Sequence, residues 1–482
     1  MPRTPRLLIV ILLVLLYGSG ITLAQGAFGP GAGPVGEVLA SGQAEPHDHE
    51  EHEDHDHDHE HEDHDHEDHD QEHHDQEGHD HDEHDHGHDG HDHEEHDHAH
   101  DDHDHEGHDD DNDHGLEGVR LLVASLDGPE LVVLDADDGA VIGRFTVPGP
   151  GRVHQLPNAQ LSAVVHRDAN RVTFVHSGLT AVDHGDHMDL LQGSPYVLKT
   201  VNLGRAPTHF FARGNDIALF NDGDGSMVWL DARLLGISLD FVEVPGQGAD
   251  HSAVHDRGAL AVVDGHLVGG GLSEAAVRVY DRRATQVAVF GGCPGLHGQA
   301  VAGSVVAFGC SDGVLLVVSA GGGVFTAHKI ANPPGSPENA RVGTLAADDG
   351  SPVLVGNFGQ GIALIDPVER TLTAVALSAA PAGMRFAEDG AVLLVLTLDG
   401  VLHALEPSTG AVLGSVAVLE AWQQGAPRPS FTHLGDYAFV VDPSHRAVWV
   451  VDLDHFEVET HFDLPFAPGS AAVMAIPGAA LH

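Results

Sequence analysis

IALID, the residues Ile362-Ala363-Leu364-Ile365-Asp366, is an apolar run that ends in an aspartate and leads through a short turn to a second run over residues 371–377. Short β-type runs that alternate with turn residues, with almost no helical periodicity, are typical of an all-β repeat protein. The aspartate has a local purpose, because its carboxylate can accept hydrogen bonds from the turn backbone. The pattern predicts a hairpin of two antiparallel strands.

The same hairpin pattern recurs from residue 118 to the C-terminus. Its other copies begin at Leu131, Val228, Val277, Leu315, Val401 and Trp449. Two more short runs precede each hairpin, which gives a four-stranded unit of roughly 45 residues. With an irregular unit near Val172 included, the sequence predicts an all-β fold, a β-propeller of about eight blades. Seven blades is the alternative if the irregular unit is not a full blade.

Ring closure can be predicted from the two ends of this region. The first unit lacks an inner strand before Leu121, and the C-terminal segment 469–476 is an apolar run without a partner of its own. A strand from the C-terminus would complete the first blade and remove the exposed sheet edges of an open ring. We therefore expect one propeller domain over residues 116–482.

The N-terminal part has a different composition. Residues 1–25 are expected to be a secretory signal, with Arg3 and Arg6, an apolar run over 7–17 and a small-residue cleavage site ending at Ala24; a retained anchor is the alternative. Residues 26–46 are a Gly/Ala-rich linker. Residues 47–115 contain 26 of the 43 histidines and 34 of the 75 acidic residues. This tail cannot bury a core, so it is expected to be disordered and to hold divalent cations at many weak sites.

Charge and cysteine content narrow the function classes. The formal net charge is -54, which argues against nucleic acid as a partner because phosphate binding requires basic patches. The two cysteines, Cys293 and Cys310, flank a predicted tight hairpin over 298–308. In an exported protein a cross-strand disulfide is then geometrically reasonable, and two buried free thiols are the alternative.

A candidate metal site lies on the predicted inner strands. His154, His209, His251 and His297 stand near the starts of these strands in four consecutive units. Because inner strands line the channel of a propeller, the four imidazoles are expected to form a half-ring that binds zinc, which accepts four N, O or S ligands. Hydrogen-bonded filler is the alternative. The later units place Arg341, Arg385 and His433 near the same point.

The irregular unit supplies a second candidate site. Its insertion contains Asp183-His184-Gly185-Asp186-His187, in which two imidazoles and two carboxylates are separated by a glycine that allows a tight turn. We hypothesise that this insertion folds over the same channel mouth and completes the coordination there; an ordinary polar loop is the alternative. His166 and His255 are weaker candidates. The chain shows no nucleophile with its base, no phosphate loop and no Cys-based metal motif.

These features resemble a known family, the periplasmic zinc metallochaperones called AztD. The resemblance rests on the signal, the His/Asp-rich stretch, the propeller pattern and three segments: Asp183 to His187, Gly292-Cys293-Pro294-Gly295-Leu296-His297-Gly298, and Cys310 with Asp312-Gly313. It implies a periplasmic protein, not an enzyme, that binds Zn²⁺ tightly. It also implies transfer of the zinc to the solute-binding protein of a zinc ABC transporter.

Two other functions remain open at this point. A nickel, cobalt or copper buffer is one, because histidine-rich tails discriminate poorly among these ions. A propeller enzyme that uses a bound metal is the other, and it would require an open metal position beside a carboxylate base.

Overall fold

The chain folds as a β-propeller of eight four-stranded antiparallel sheets, in a computed structural model that describes residues 115–185, 187–246, 258–337 and 339–476. The prediction of about eight blades is confirmed. Seven is wrong because the irregular unit near Val172 is a full blade that carries an extra hairpin. The boundaries expected at residues 25 and 46 lie outside the described residues.

The strands of the first four blades share a length of four to seven residues. In chain order they are β1 (Arg120–Ser125), β2 (Glu130–Asp135), β3 (Val141–Thr146), β4 (Arg152–Gln155), β5 (Leu161–His166), β6 (Arg171–His176), β7 (Leu179–Asp183), β8 (Met188–Gln192), β9 (Tyr196–Val201), β10 (Pro207–Arg213), β11 (Asp216–Asn221), β12 (Met227–Asp231), β13 (Phe241–Val244), β14 (Gly258–Val263), β15 (His266–Gly271), β16 (Ala276–Tyr280) and β17 (Gln286–Gly291). A short 3₁₀ helix, Ala232–Leu234, follows β12.

The remaining strands complete four more blades and the closure. They are β18 (Gln299–Ala302), β19 (Val305–Cys310), β20 (Gly313–Ser319), β21 (Phe325–Ala331), β22 (Val342–Ala346), β23 (Leu354–Phe358), β24 (Gly361–Asp366), β25 (Thr371–Ala376), β26 (Pro381–Ala387), β27 (Val392–Thr397), β28 (Val401–Leu405), β29 (Val412–Ala417), β30 (Ser430–Leu434), β31 (Tyr437–Asp442), β32 (Ala447–Asp452), β33 (Glu457–Asp463) and β34 (Pro468–Met474). A second 3₁₀ helix, Glu388–Gly390, follows β26.

The strands of each blade are given in order from the channel outward. Blade 1 is β34-β1-β2-β3, blade 2 is β4-β5-β6-β9, and blades 3 to 8 take four consecutive strands each from β10 to β33. The first strands of successive blades contact one another around the channel. The extra hairpin β7-β8 follows β6 and precedes β9 in the chain, and it forms a separate two-stranded sheet.

The hairpins form as their sequence predicts. Residues 362–366 lie in β24 and pair with β25. The Asp366 carboxylate accepts hydrogen bonds from the backbone N–H groups of Val368 and Glu369, both at 2.8 Å. Asp281 and Asp452 accept bonds in their own turns in the same way. The repeated aspartates therefore stabilise turns and need no role in metal binding.

The C-terminal strand closes the ring. β34 pairs antiparallel with β1 and supplies the missing innermost strand of blade 1, as predicted. Eight apolar clusters fill the structure, one between each pair of neighbouring blades. The cluster between blades 8 and 1 packs Val473 of β34 against Phe439 and Val450. Closure thus gives the first and last blades the same packed neighbours as the others.

Cys293 and Cys310 form a disulfide, with their Cα atoms 5.0 Å apart. Cys310 ends β19, and Cys293 precedes the hairpin of β18 and β19, close to the position predicted for it. Among the residues that the structure describes, no helix has the length and apolar character needed to span a membrane.

Ring closure can be tested by placing a charge in the apolar cluster between blades 8 and 1. Val473 is fully buried, so Val473→Asp places a carboxylate in an apolar cluster and is expected to destabilise the fold by about 4 kcal/mol or more. Thr460→Asp, at an exposed position of β33, is the matched control. Thermal unfolding would measure both; equal melting temperatures for the two variants would contradict the importance of closure.

Candidate metal centre

The first strands of the blades line a central channel with two mouths. We call the end where the second and third strands of each blade are joined the upper mouth, and the end where the first and second are joined the lower mouth. In blade 3 the turn after β11 lies at the upper mouth, and residues 214–215 lie at the lower mouth. An upper and a lower cavity share Phe210, Gln299 and Leu345, so they adjoin inside the channel.

The upper cavity, of about 680 Å³, brings together three of the four histidines proposed for the half-ring. His154 on β4, His209 on β10 and His297 just before β18 all line it. Asp222, which follows β11 at the upper mouth, lines the same cavity and is buried. The cavity therefore offers imidazole nitrogens and one carboxylate, which are donor classes that zinc accepts.

His209, His297 and Asp222 are the most closely associated of these groups. The rings of His209 and His297 are nearly perpendicular, with centroids 5.5 Å apart. His209 Nε2 lies 3.7 Å from Asp222 Oδ1. The other Asp222 oxygen, Oδ2, is 3.6 Å from the Arg167 guanidinium, which offsets part of its charge. This carboxylate is thus held beside an imidazole instead of facing bulk water.

His297 is oriented by its surroundings. Its Nδ1 donates to the Gly343 carbonyl at 2.6 Å, which fixes the neutral ring in the tautomer whose Nε2 carries a lone pair. Its backbone N–H donates to Gly309 at 3.0 Å. Gly298 follows in the left-handed region, at φ +76°, and a Cβ there would lie 2.4 Å from the Gly343 oxygen. Only glycine lets this segment approach blade 6 so closely.

The disulfide holds the same segment from its other end. Cys293 lies a few residues before His297, and its partner Cys310 follows Gly309, the residue that accepts the His297 backbone hydrogen bond. Ser311 N donates to the Pro294 carbonyl at 2.7 Å. The bridge and these bonds fix the segment 293–298 against β19, which explains why the Gly-Cys-Pro-Gly-Leu-His-Gly stretch is ordered at the cavity wall.

His154 has a different environment from His209 and His297. Its ring stacks on Phe210, with centroids 4.6 Å apart. Its Nε2 is buried and has no hydrogen-bond partner among the described residues. Burial holds the pKa of His154 well below its usual value, and the nearby Arg152, Arg385 and His209 lower it further. The imidazole is therefore neutral, but the same positive neighbours oppose a cation at this ring.

Two of the predicted ligands cannot be placed. His251 and Asp186 lie outside the described residues. The innermost strand of blade 4 is β14, Gly258–Val263, so His251 precedes this strand in the sequence. Its membership of the half-ring stays a prediction, because the alignment of strand starts does not by itself set its position.

The insertion is the hairpin β7-β8, and one carboxylate joins its two histidines. His184 Nε2 lies 3.0 Å from Asp189 Oδ2, and His187 Nε2 lies 3.1 Å from Asp189 Oδ1. The two rings stack with centroids 5.4 Å apart. Asp183 instead accepts the Gly185 backbone N–H at 2.7 Å and stabilises the turn. The hairpin thus presents two half-exposed imidazoles on one carboxylate.

The hypothesis that the insertion covers the histidine-lined mouth is wrong. β6 ends opposite Leu161, where β5 begins, so the insertion leaves blade 2 at the lower mouth. Ser177 N accordingly donates to Gln160 O in the loop between β4 and β5. Asp222 lies at the upper mouth. Strand direction, which four antiparallel strands fix, therefore separates the two candidate sites.

Sequence reasoning missed Asp222 and did not single out Asp189. Asp222 falls in Asn221-Asp222-Gly223-Asp224-Gly225, which has the composition of an ordinary turn. No spacing rule connects it with His209, because the two residues meet across the β10-β11 hairpin. By contrast, His166 is a structural residue: its Nδ1 is 2.8 Å from Gly149 O and its Nε2 is 3.0 Å from Thr173 Oγ1.

No complete metal centre is formed by the part of the chain that the structure describes: no three His, Cys, Asp or Glu side chains meet around one point. Zinc–nitrogen bonds of about 2 Å require closer convergence than a 5.5 Å ring separation gives. The His209, His297 and Asp222 side chains would have to turn toward a common ion. Their donor types fit zinc, and a fourth ligand is needed.

The lower cavity, of about 710 Å³, is lined by Arg213, Arg385, His433 and the carboxylates of Asp348, Asp349 and Asp389. The pKa of His433 is lowered to about 4, chiefly by burial and also by the charge of Arg385, while Asp348 acts in the opposite direction. Asp349 pairs with Arg213 at 2.5 Å. This end of the channel thus combines arginines, a neutral imidazole and carboxylates.

The fold and the cavities define an eight-bladed propeller whose channel is lined by histidines and arginines. The chain is 26% identical over 371 residues to the zinc chaperone AztD of Citrobacter koseri, covering 74% of this chain and 86% of that protein. The resemblance predicted from the sequence is confirmed. No protein-family profile matches.

Solved structures of the same Citrobacter koseri protein share the fold. A crystal structure of AztD superposes with a TM-score of 0.67 at 24% identity, covering 76% of this chain and 99% of that one. The apo structure gives a TM-score of 0.65 at 24% identity, covering 74% and 97%. The likeness shows that the whole propeller, and not a few blades, is common to the two proteins.

His433 gives a pH-dependent prediction. In the unfolded chain a histidine takes up its proton near pH 6.5, but folded His433 does so only near pH 4. The unfolded state therefore binds more protons in this window, so stability is complete above pH 6.5 and falls toward pH 4. Between pH 6.5 and pH 4, we expect the free energy of unfolding to fall by about 1–2 kcal/mol less in His433→Gln than in the parent protein.

Chemical unfolding at several pH values would measure this difference, with His461→Gln, an exposed position on β33, as the control. The assignment would be contradicted if His433→Gln and His461→Gln showed the same acid destabilisation as the parent.

Proposed function

We propose that this protein is an exported, zinc-binding metallochaperone whose upper cavity holds the transferable ion. One observation carries the proposal: His209, His297 and the buried Asp222 line one cavity at the upper mouth of a propeller that is similar over most of its length to a zinc chaperone. That relative is named as a chaperone and not as an enzyme. Zn²⁺ is therefore the proposed cargo.

The donor set favours zinc over harder cations. Two imidazoles and one carboxylate suit a borderline ion, whereas Ca²⁺ and Mg²⁺ prefer oxygen ligands alone. The His297 ring is already in the tautomer that leaves Nε2 available, because Nδ1 donates to Gly343. Asp222 supplies the negative charge that partly balances a divalent ion. The fourth position is proposed to hold water or His251, because the charges of Arg152 and Arg385 oppose a cation at His154.

The same arrangement suits release. With water at the fourth position, an incoming ligand could bind before an old one leaves. Because the cavity lies at a mouth of the channel, we propose that a donor from another protein reaches the ion there. We propose that the acceptor is the zinc-specific solute-binding protein of an ABC transporter, in the periplasm. The similarity to AztD supports zinc as the bound ion. The identity of the acceptor is proposed from the family resemblance.

The histidine-rich tail and the insertion are proposed as accessory sites. Residues 47–115 carry 26 histidines, which raises the local supply of bound zinc near the propeller. His184 and His187, joined by Asp189, are proposed to bind a second and weaker ion at the lower mouth. The two imidazoles are half-exposed, and together with the Asp189 carboxylate they offer three protein donors. Water is therefore expected to complete the coordination at that site.

Substitutions at the upper mouth test the proposal. We expect His209→Ala, His297→Ala and Asp222→Asn each to weaken the tightest zinc site about tenfold or more, since each removes a donor. The measurement is competitive zinc titration with metal analysis, on chains with and without residues 47–114. His461→Ala, an exposed histidine away from the channel, should leave the affinity unchanged.

The outcome that defeats the proposal is equally specific. If tight binding disappears with the tail and the upper-mouth substitutions have no effect, the propeller is not a zinc site. Nickel, cobalt and copper titrated in parallel decide between a zinc chaperone and a general metal buffer.

A separate substitution tests the insertion. The double variant His184→Ala/His187→Ala is expected to remove one weak zinc equivalent and to leave the tight site intact, because the two sites lie at opposite mouths. Metal analysis after equilibrium dialysis would count the bound ions. A loss of tight binding in this variant would show instead that the insertion contributes to the upper site.

A further inference from the structure

The interior of the channel carries positive charge that zinc binding does not explain. Arg152 begins β4 in blade 2, and Arg385 lies on β26 in blade 7, so both are on first strands that line the channel. Arg152 lines the upper cavity and Arg385 the lower one, and the two cavities adjoin. A channel that held only a cation would gain nothing from two guanidinium groups.

Neither arginine has a carboxylate partner within the described ranges. The other arginines of the two cavities do: Arg167 pairs with Asp222 and Arg213 with Asp349. Arg385 donates from Nε to the Phe431 carbonyl at 3.0 Å, and this bond orients its fork without neutralising its charge. Its two terminal nitrogens contact no acceptor in the described part of the chain.

The two side chains face the channel and not the outer surface. Both keep more than a third of their surface accessible, yet protein surrounds them and lowers the pKa of each guanidinium. The shift reflects the cost of charge in a partly desolvated space, and for Arg385 the charge of Arg152 adds to it. Both groups stay protonated, because an arginine pKa is far above neutrality.

Two imidazoles near these arginines each have a buried nitrogen that is available to a ligand. His154 Nε2 and His433 Nδ1 lack a hydrogen-bond partner among the described residues. A neutral imidazole has one N–H, so each ring can donate one hydrogen bond in the appropriate tautomer. Buried polar atoms without partners are costly, and a ligand that accepts hydrogen bonds would satisfy them.

The nearby carboxylates do not fill this role. Asp349 is engaged with Arg213, and Asp348 Oδ1 accepts the Gly350 backbone N–H at 2.8 Å. Asp389 belongs to the short helix at the lower mouth and forms no ion pair among those found in the described residues. Among the described residues, none of these carboxylates forms an ion pair with Arg152 or Arg385, so both guanidinium groups keep the capacity to bind an added anion.

We propose that the channel binds a small oxyanion between Arg152 and Arg385, with His154 and His433 as additional hydrogen-bond donors. The planar fork of a guanidinium matches the paired oxygens of a phosphate, a sulfate or a carboxylate. These residues differ from the proposed cation ligands, although Arg152 and His154 line the same cavity as those ligands. The anion is proposed to bind without zinc. A bound anion would also offset the positive field that opposes a cation near His154.

The experiment is calorimetric titration of the zinc-free full-length protein at constant ionic strength. Inorganic phosphate, sulfate and citrate are titrated separately, which distinguishes an inorganic anion from a carboxylate, and chloride controls for screening. We expect saturable, one-to-one binding of at least one of the three oxyanions, with a rise in melting temperature. Arg152→Gln and Arg385→Gln should each weaken it about tenfold or more.

Matched variants separate the site from general charge effects. Arg370→Gln removes the same charge at an exposed turn outside the channel and should bind like the parent. Arg385→Lys keeps the charge but not the fork and should be intermediate. The proposal is overturned if none of the three anions binds saturably at tens of millimolar, or if both channel variants bind as well as Arg370→Gln. Because zinc is absent throughout, failure here leaves the zinc proposal untouched.

Discussion

The packing between neighbouring blades is the interaction on which the whole structure depends. A four-stranded sheet of six-residue strands has two apolar faces and cannot bury both by itself. Each face is buried against the next blade, in one of eight clusters around the ring. The pairing of β34 with β1 makes the eighth interface equivalent to the others. Without it two faces and two strand edges would be exposed to water.

The ring in turn fixes the chemistry of the channel. Because all first strands run in the same direction, residues near their starts gather at the upper mouth and residues near their ends at the lower one. His209, Asp222 and His297 therefore share one cavity although they come from distant parts of the chain. Arg152 lines the same upper cavity, and Arg385 lines the lower cavity that adjoins it. The channel thus holds both the residues proposed to bind a cation and the arginines proposed to bind an anion.

The sequence predicted the fold well for a physical reason. Apolar runs that end in aspartate, such as residues 362–366, identify hairpins locally, because the turn hydrogen bonds involve residues only two or three positions apart. It predicted the candidate site less well. Asp222 resembled a turn residue, and the insertion was assigned to the wrong mouth, because strand direction within blade 2 decides where Asp183 and His187 lie. The assignment of His251 to the half-ring remains a prediction.

The sequence by itself determined the propeller class with about eight blades, the closing strand, the charge of the tail and the presence of histidines near the starts of first strands. These are properties of local pattern and composition. Only the tertiary structure decided which side chains meet: that Asp222 approaches His209, that Asp189 joins His184 and His187, and that Arg152 and Arg385 face a common channel without carboxylate partners among the described residues. The reason is that these contacts join residues across hairpins and between blades, where distance in the sequence carries no information about distance in space.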